Sequence, residues 1–205
     1  VTVAEREALN GFFDQEYIIS DTAANIETAV SSSYSGPTLR RAKSVDSTAG
    51  SITVTIAERE ALGDSYDQGY VIEDFASNIE TAVADKTTAS ITGTTIGGAN
   101  SVDSTDGAIT VTIAEREALG NSYDQGYVIE DSASNIESAV SGLTDATIGS
   151  TVLGGADSVN SVVGDLITVT VAEREALGDS YNQSYNISDS ASRIHSAISG
   201  LNTHT

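Results

Sequence analysis

Four versions of one ten-residue phrase punctuate the chain: YIISDTAANI at 17–26, YVIEDFASNI at 70–79, YVIEDSASNI at 127–136 and YNISDSASRI at 185–194. A second phrase precedes each: TVAEREALN from Thr2, TIAEREALG from Thr55 and Thr112, and TVAEREALG from Thr170. A tandem period of this size is the signature of an array in which each unit buries its apolar face against its neighbours. The first two copies stand slightly closer together than the others. The length differences all fall between an NIETAV-type segment and the next SVDS or SVNS, where an array accepts insertions on loops. The chain is therefore expected to be a single repeat array over 1–205, with units of approximately 1–43, 44–100, 101–157 and 158–205.

Within a unit the local signals are consistent. In the third, Ile109-Thr110-Val111-Thr112 alternates apolar and polar residues, the period of a half-buried strand. Thr112 stands three residues before Glu115, the spacing of a capping box, and the pair recurs as Thr2/Glu5, Thr55/Glu58 and Thr170/Glu173. This helix ends at Leu119-Gly120, glycine being favoured just past a helix terminus. Tyr127-Val128-Ile129 reads as a second strand, and Asp131 as the N-cap of a second helix, with Asp21, Asp74 and Asp189 in the same role. Ala133, Ile136, Val140 and Leu143 then form one apolar helical stripe. Strand-like anchors at 109, 127, 148 and 167 divide a unit of about 57 residues into three coils of about 19. The fold class implied is α/β, an elongated repeat solenoid of short parallel strands with short helices. The rival local reading makes SVDSTDGAITVT a hairpin turning at Thr105-Asp106-Gly107, and the rival global one is a string of separate small α/β modules.

Stacking also explains why particular residues recur. Tyr17, Tyr70, Tyr127 and Tyr185 occupy one position of the unit, and Phe13, Tyr66, Tyr123 and Tyr181 another. Aromatic rings supply large buried area from few residues, which suits a chain with 39% apolar residues but only 5% aromatics. Asn25, Asn78 and Asn135 lie inside the second helix, where asparagine is unfavourable on propensity. They are expected to point inward and hold loop backbone of a neighbouring coil. Arg193 replaces this asparagine in the fourth copy.

Thirty acidic residues against nine basic ones give a formal charge of −21. Such a chain repels nucleic acid and anionic membrane surfaces, and it suits divalent cations or a basic partner. No apolar run approaches the ~18 residues of a membrane span, so no membrane insertion is expected. The absence of cysteine removes disulfides and thiolate chemistry. No signal peptide is visible. Methionine is absent and Val1 falls inside a repeat, so the chain is expected to be a processed product or a piece of a longer one.

Calcium is the candidate cofactor. SVDSTDG offers Asp103 and Asp106 before a glycine, and GDSYDQG offers Asp64 and Asp67, carboxylates in glycine-containing turns of the kind that ligate calcium. Neither stretch is an EF-hand loop or a GGxGxD nonapeptide, and turn-forming propensity accounts for the same residues. Catalytic patterns are lacking: the two histidines, His195 and His204, lie near the end of the chain, and neither a serine elbow nor HExxH occurs. The paired glutamates of AEREAL read as a solvated helix face, with Arg59 or Arg116 between them for charge balance. TIGGAN and VLGGAD read as turns. Arg40, Arg41 and Lys43 cluster beside the single proline, Pro37, as a candidate assembly patch for the acidic face of another copy.

The combination of Y-[IV]-I-[SE]-D-x-A-[AS]-N-I following [IT]-T-V-[TA]-x-A-E-x-x-A-L resembles the repeats of very large secreted bacterial proteins, cyanobacterial ones among them, that build surface layers, adhesins and filaments. The resemblance runs through all four copies and departs at Phe75 and at Arg193. It implies export to the cell surface and a structural or adhesive role. The expected function is thus a non-enzymatic extracellular repeat protein that self-assembles, as a homo-oligomer or polymer, into a filament, sheath or layer. Incompletely paired strands at the ends would invite strand addition from another chain. The alternatives are an adhesin or fibre-like module recognising a glycan or host surface, which would expose its tyrosines, and a calcium-stiffened stalk.

Overall fold

Among the described residues the β-strands are short, and every pairing between them is parallel. The structure is a computed structural model that describes residues 1–9, 16–32, 39, 41–162 and 165–201. It contains the strands β1 (Tyr17–Asp21), β2 (Ala42–Ser47), β3 (Ile52–Val54), β4 (Tyr70–Asp74), β5 (Ser101–Ser104), β6 (Ile109–Val111), β7 (Tyr127–Asp131), β8 (Ser158–Ser161), β9 (Ile167–Val169) and β10 (Tyr185–Ile187). They form sheets in the orders β1-β2, β3-β4-β5, β6-β7-β8 and β10-β9. The architecture is α/β, as the sequence implies.

A parallel pair needs a crossover, and the repeated helices supply it. The helices α1 (Val3–Leu9), α3 (Ile56–Leu62), α6 (Ile113–Leu119) and α9 (Val171–Leu177) carry the AEREAL phrase, and α2 (Ala23–Ser32), α4 (Ala76–Val83), α7 (Ala133–Val140) and α10 (Ala191–Leu201) carry the phrase ending in NI or RI. The capping box forms in every copy: Glu58 N donates to Thr55 Oγ1 at 3.2 Å while Thr55 N donates to Glu58 Oε2 at 2.8 Å. The same reciprocal pair closes Thr2/Glu5, Thr112/Glu115 and Thr170/Glu173. Gly63 and Gly178 end their helices at φ of 53° and 51°, a left-handed conformation that glycine adopts without strain.

Two short additional helices, α5 (Thr88–Ile91) and α8 (Asp145–Ile148), precede the third strand of their sheets. Here the structure corrects the expected placing of the third strand-like anchor. Ile148 ends a helix and is buried, and the third strand starts only at Ser158. The hairpin does not form either. Ser101–Ser104 closes one sheet and Ile109–Val111 opens the next, just as Ala42–Ser47 and Ser158–Ser161 close sheets before Ile52–Val54 and Ile167–Val169 open others. Sheet divisions therefore fall after the SVDS-type segments.

The chain resolves into two compact bodies, Val1–Gly107 with Ala118–Gln125, and Ala108–Glu117 with Gly126–Thr205. In the first, Ile52, Ile72, Ile79, Val83, Ile96 and Val102 are essentially inaccessible to solvent. In the second, Ile109, Ile129, Ile136, Val140, Val159 and Ile167 repeat that core. Each such side chain contributes roughly 1.5–3 kcal/mol on burial. Strand β4 alternates accordingly, with Tyr70, Ile72 and Asp74 buried and Glu73 exposed.

Within each body, neighbouring repeats interlock through carboxylate and amide side chains that cap strand edges. In the first, Glu27 Oε1 accepts from Thr53 N at 2.6 Å, and Gln68 Oε1 accepts from Ser47 N at 2.7 Å. In the second, Glu137 accepts from Thr168 N and Gln183 from Ser161 N. These caps satisfy edge amides that would otherwise pair with foreign strands.

Candidate functional site

The recurrent aspartate sits at the C-terminal end of its strand and ties three pieces of backbone and side chain together. In the third repeat, Asp131 Oδ2 accepts from Ile113 N at 3.0 Å, at the start of α6. Its Oδ1 accepts from Ser132 N at 2.8 Å and from Asn135 Nδ2 at 2.7 Å, at the start of α7. One carboxylate thus serves the N-termini of two helices, where negative charge is favoured. Asp21 with Val3, Thr22 and Asn25, and Asp74 with Ile56, Phe75 and Asn78, repeat the arrangement. The Asn25 amide together with the Thr22 and Val3 amides holds the Asp21 carboxyl below its ordinary range against the opposing effect of burial.

This geometry corrects two expectations. The N-cap proper of α7 is Ser132, whose Oγ accepts from Asn135 N, and Asp131 stands one residue before it. The asparagines are exposed residues. Each donates one turn back to the aspartate of its own repeat instead of holding the backbone of a neighbouring coil. In the fourth copy Arg193 stands in the asparagine position and forms an ion pair instead, with Nη1 3.7 Å from Asp189 Oδ1. Asp189 still accepts from Val171 N and Ser190 N. The Ser190 and Val171 amides, aided by Arg193, keep its carboxyl below the ordinary range.

The arginine of AEREAL also departs from expectation. Arg6 is buried, and Arg59, Arg116 and Arg174 are half-buried, instead of lying on a solvated face. Each guanidinium covers the strand tyrosine of its repeat: Arg6 on Tyr17, Arg59 on Tyr70, Arg116 on Tyr127 and Arg174 on Tyr185, at 4.5 to 4.8 Å from the ring centres. Arg59 also donates to the Gly63 and Tyr66 carbonyls, both at 2.9 Å, satisfying the end of its helix. The cation–π contact accounts for an arginine kept near the core.

Tyr66, Tyr123 and Tyr181 are fully buried, and burial pushes the Tyr66 hydroxyl up from its ordinary range. Phe13, the first member of that set, lies outside the described residues. Tyr70 donates to the Thr95 carbonyl at 2.6 Å and Tyr127 to the Val152 carbonyl at 2.7 Å. The glycine pairs of TIGGAN and VLGGAD make this cover fit. A Cβ on Gly98 or Gly155 would stand 2.7 or 2.6 Å from the tyrosine hydroxyl. Tyr185 alone of the strand tyrosines is exposed.

The four candidate calcium ligands are not brought together. Asp64 and Asp67 are exposed around the loop after α3, and Asp64 borders a polar recess of about 270 Å³ that Arg59 also lines. Asp103 accepts from Ser101 Oγ at 3.0 Å, and Asp106 accepts from Ala76 N at 2.7 Å, a cap on the start of α4. Among the described residues no three acidic or histidine side chains converge as a metal site. Of the basic patch, Arg41 and Lys43 are exposed, Lys43 lies 3.7 Å from Glu16, and Arg40 falls outside the described residues with Pro37. His195 is exposed on α10, and His204 also falls outside the described residues. Open grooves of about 350 and 550 Å³ run between α6 and α7 and between α9 and α10, lined by alanine, serine and a glutamate, Glu117 or Glu175. No described helix is long and apolar enough to cross a membrane.

No protein-family model matches the chain, and neither the curated proteins nor the solved structures searched contain a match.

Proposed function

We propose that the chain is a non-enzymatic, extracellular structural repeat protein, and that its units stack as an elongated solenoid forming part of a cell-surface filament, sheath or layer. The observation that carries this reading is where the recurrent residues go. Each strand tyrosine lies under an arginine, Tyr70 and Tyr127 lie also under glycine loops, and the repeated aspartates clasp helix starts, so the recurrent residues serve folding. A binding module that read glycans through these tyrosines would have to expose them, and Tyr17, Tyr70 and Tyr127 are at most 7% exposed. The edge-capping glutamates and glutamines favour units joined in series over independent beads. The sequence resemblance to secreted surface repeats supplies the location. Sedimentation and electron microscopy of the purified chain test the reading: elongated oligomers or filaments are expected, and a compact, monodisperse monomer at millimolar concentration would overturn it.

A further inference from the structure

The start of α4 is held differently from the starts of the equivalent helices. Thr22, Ser132 and Ser190 each accept a hydrogen bond from the backbone N–H three residues on, at 3.2 to 3.4 Å. Phe75 fills that position in the second repeat and makes no such bond. A substitute comes from the loop after β5, where Asp106 Oδ1 accepts from Ala76 N at 2.7 Å and lies 3.4 Å from Ser104 Oγ. The corresponding loops have no carboxylate at this position: Ala49 stands there after the first repeat and Val163 after the third. The aspartate therefore occurs where the serine or threonine cap is missing.

The same aspartate is followed by glycine, and Asp106–Gly107 is the one Asp-Gly pair in the sequence. Both residues are exposed, in a bend between β5 and β6. Gly107 has φ of 135°, and nothing lies within 4 Å of where a Cβ would be. With no side chain to hinder it, the Gly107 nitrogen can attack Asp106 Cγ. An N–C bond forms, and the carboxyl hydroxyl leaves with the amide hydrogen as water, giving a five-membered succinimide. Solvent water then opens the ring. Breaking the bond from nitrogen to Cγ restores aspartate; breaking the bond from nitrogen to the main-chain carbonyl carbon leaves isoaspartate, with the backbone running through Cβ and Cγ. One water leaves and one enters, so no other reactant is required.

We infer that Asp106–Gly107 is a self-modification site, at which the chain rearranges its own backbone to isoaspartate, and that the Ala76 amide is the latch that restrains it. Ring closure has to bring the carboxyl carbon onto the Gly107 nitrogen, and a carboxylate tied to Ala76 is not free to turn. Rearrangement leaves the free carboxylate on Cα and lengthens the main chain by one carbon, so the cap on α4 is lost. Phe75 offers no replacement. Chemistry in one loop thereby becomes a slow loosening of one helix start, independently of the assembly proposed above.

Incubation of the full chain at neutral pH in heavy-oxygen water tests the inference, since each ring opening takes one oxygen from solvent. Peptide mapping should find label and isoaspartate at Asp106 and neither at Asp103, which precedes a serine within β5. Asn10–Gly11, outside the described residues, would close the same ring with loss of ammonia, and its product is told apart by its change of mass. Ala76→Pro deletes the latch amide at the first helical position, which suits proline, after a Phe75 whose ψ of 146° suits the residue before one. Labelling at Asp106 should then rise by about threefold to tenfold, as expected for the loss of one hydrogen bond. Asp106→Glu keeps a carboxylate but would have to close a six-membered ring, and it should lose the label. In the rearranged fraction of the parent chain, amide exchange at Ala76 and Ser77 should quicken. Label at Asp106 no greater than at Asp103, label surviving in Asp106→Glu, or an Ala76→Pro rate equal to that of the parent would each overturn the inference.

Discussion

Repeats three and four differ little in sequence around the second strand, YVIEDSASNI against YNISDSASRI, yet they end in different states. In the third, the tyrosine, the strand isoleucine Ile129 and the helix stripe are sealed beneath β8 and its glycine loop. In the fourth, the homologous residues face solvent, although the capping box, the arginine over the tyrosine and the aspartate clasp are all in place. The local devices of the repeat therefore assemble without the third strand, and the third strand decides only what is buried. Local hydrogen bonding and long-range burial are separable here. The first links a helix start to the strand that follows it, whereas the second needs a segment that arrives only after a further helix.

The comparison can be broken most sharply at the tyrosines. Tyr127→Ala removes a buried ring together with its hydrogen bond to Val152 and should cost about 3–5 kcal/mol. Tyr185→Ala should cost about 1 kcal/mol or less, since much of the ring is already in water. Paired denaturant melts measure both, and equal losses would mean that β8 contributes nothing to sealing the third repeat. Next in size is the clasp. Asp131→Ala strands two helix-start amides and should cost about 2–3 kcal/mol, with faster amide exchange at Ile113 and Ser132. Asp131→Asn, which keeps one acceptor oxygen, should cost less.

A gain is expected at Phe75. This exposed residue occupies the N-cap of α4 without a side-chain cap bond, where the third repeat has Ser132. Phe75→Ser should therefore stabilise the chain by about 1 kcal/mol, read as a higher melting midpoint with an unchanged denaturant slope. The smallest effect is acid sensitivity. The carboxyls of Asp21, Asp189, Glu5 and Glu173 are all held below their ordinary values of 3.8 and 4.5 by accepted hydrogen bonds. Their contribution is complete above those values and is lost as pH falls through the lower folded-state values, so the loss begins near pH 4 and deepens below it. Relief of repulsion among thirty acids acts in the opposite direction. The Glu173→Gln variant isolates the hydrogen-bonded share: its stability should fall less steeply below pH 4 than that of the parent chain, and identical acid limbs would refute the assignment.

What could be read before the structure was local. The four Thr/Glu boxes, the glycine after AEREAL, the alternation in Ile109–Thr112 and the apolar run Tyr127–Ile129 each place their determinants within a few positions, and each forms. The third strand escaped because SVDS and SVNS are short, polar and flanked by turn formers, so they passed for the start of a unit or one arm of a hairpin. The stretch around Ile148 passed for a strand because alternating threonine, isoleucine and glycine mimics one. AEREAL concealed its arginine for a different reason. A charged residue between two glutamates reads as solvated, and nothing nearby in sequence announces the tyrosine it covers.

Sequence alone determined the repeat, its period and the caps and turns of each unit, because those depend on neighbours along the chain. Tertiary structure decided which strands share a sheet, what the aspartates hold, where the arginines lie and which tyrosines are sealed. Those outcomes depend on groups well separated in sequence meeting across a crossover, and a one-dimensional pattern carries no record of which of several chemically adequate partners will arrive.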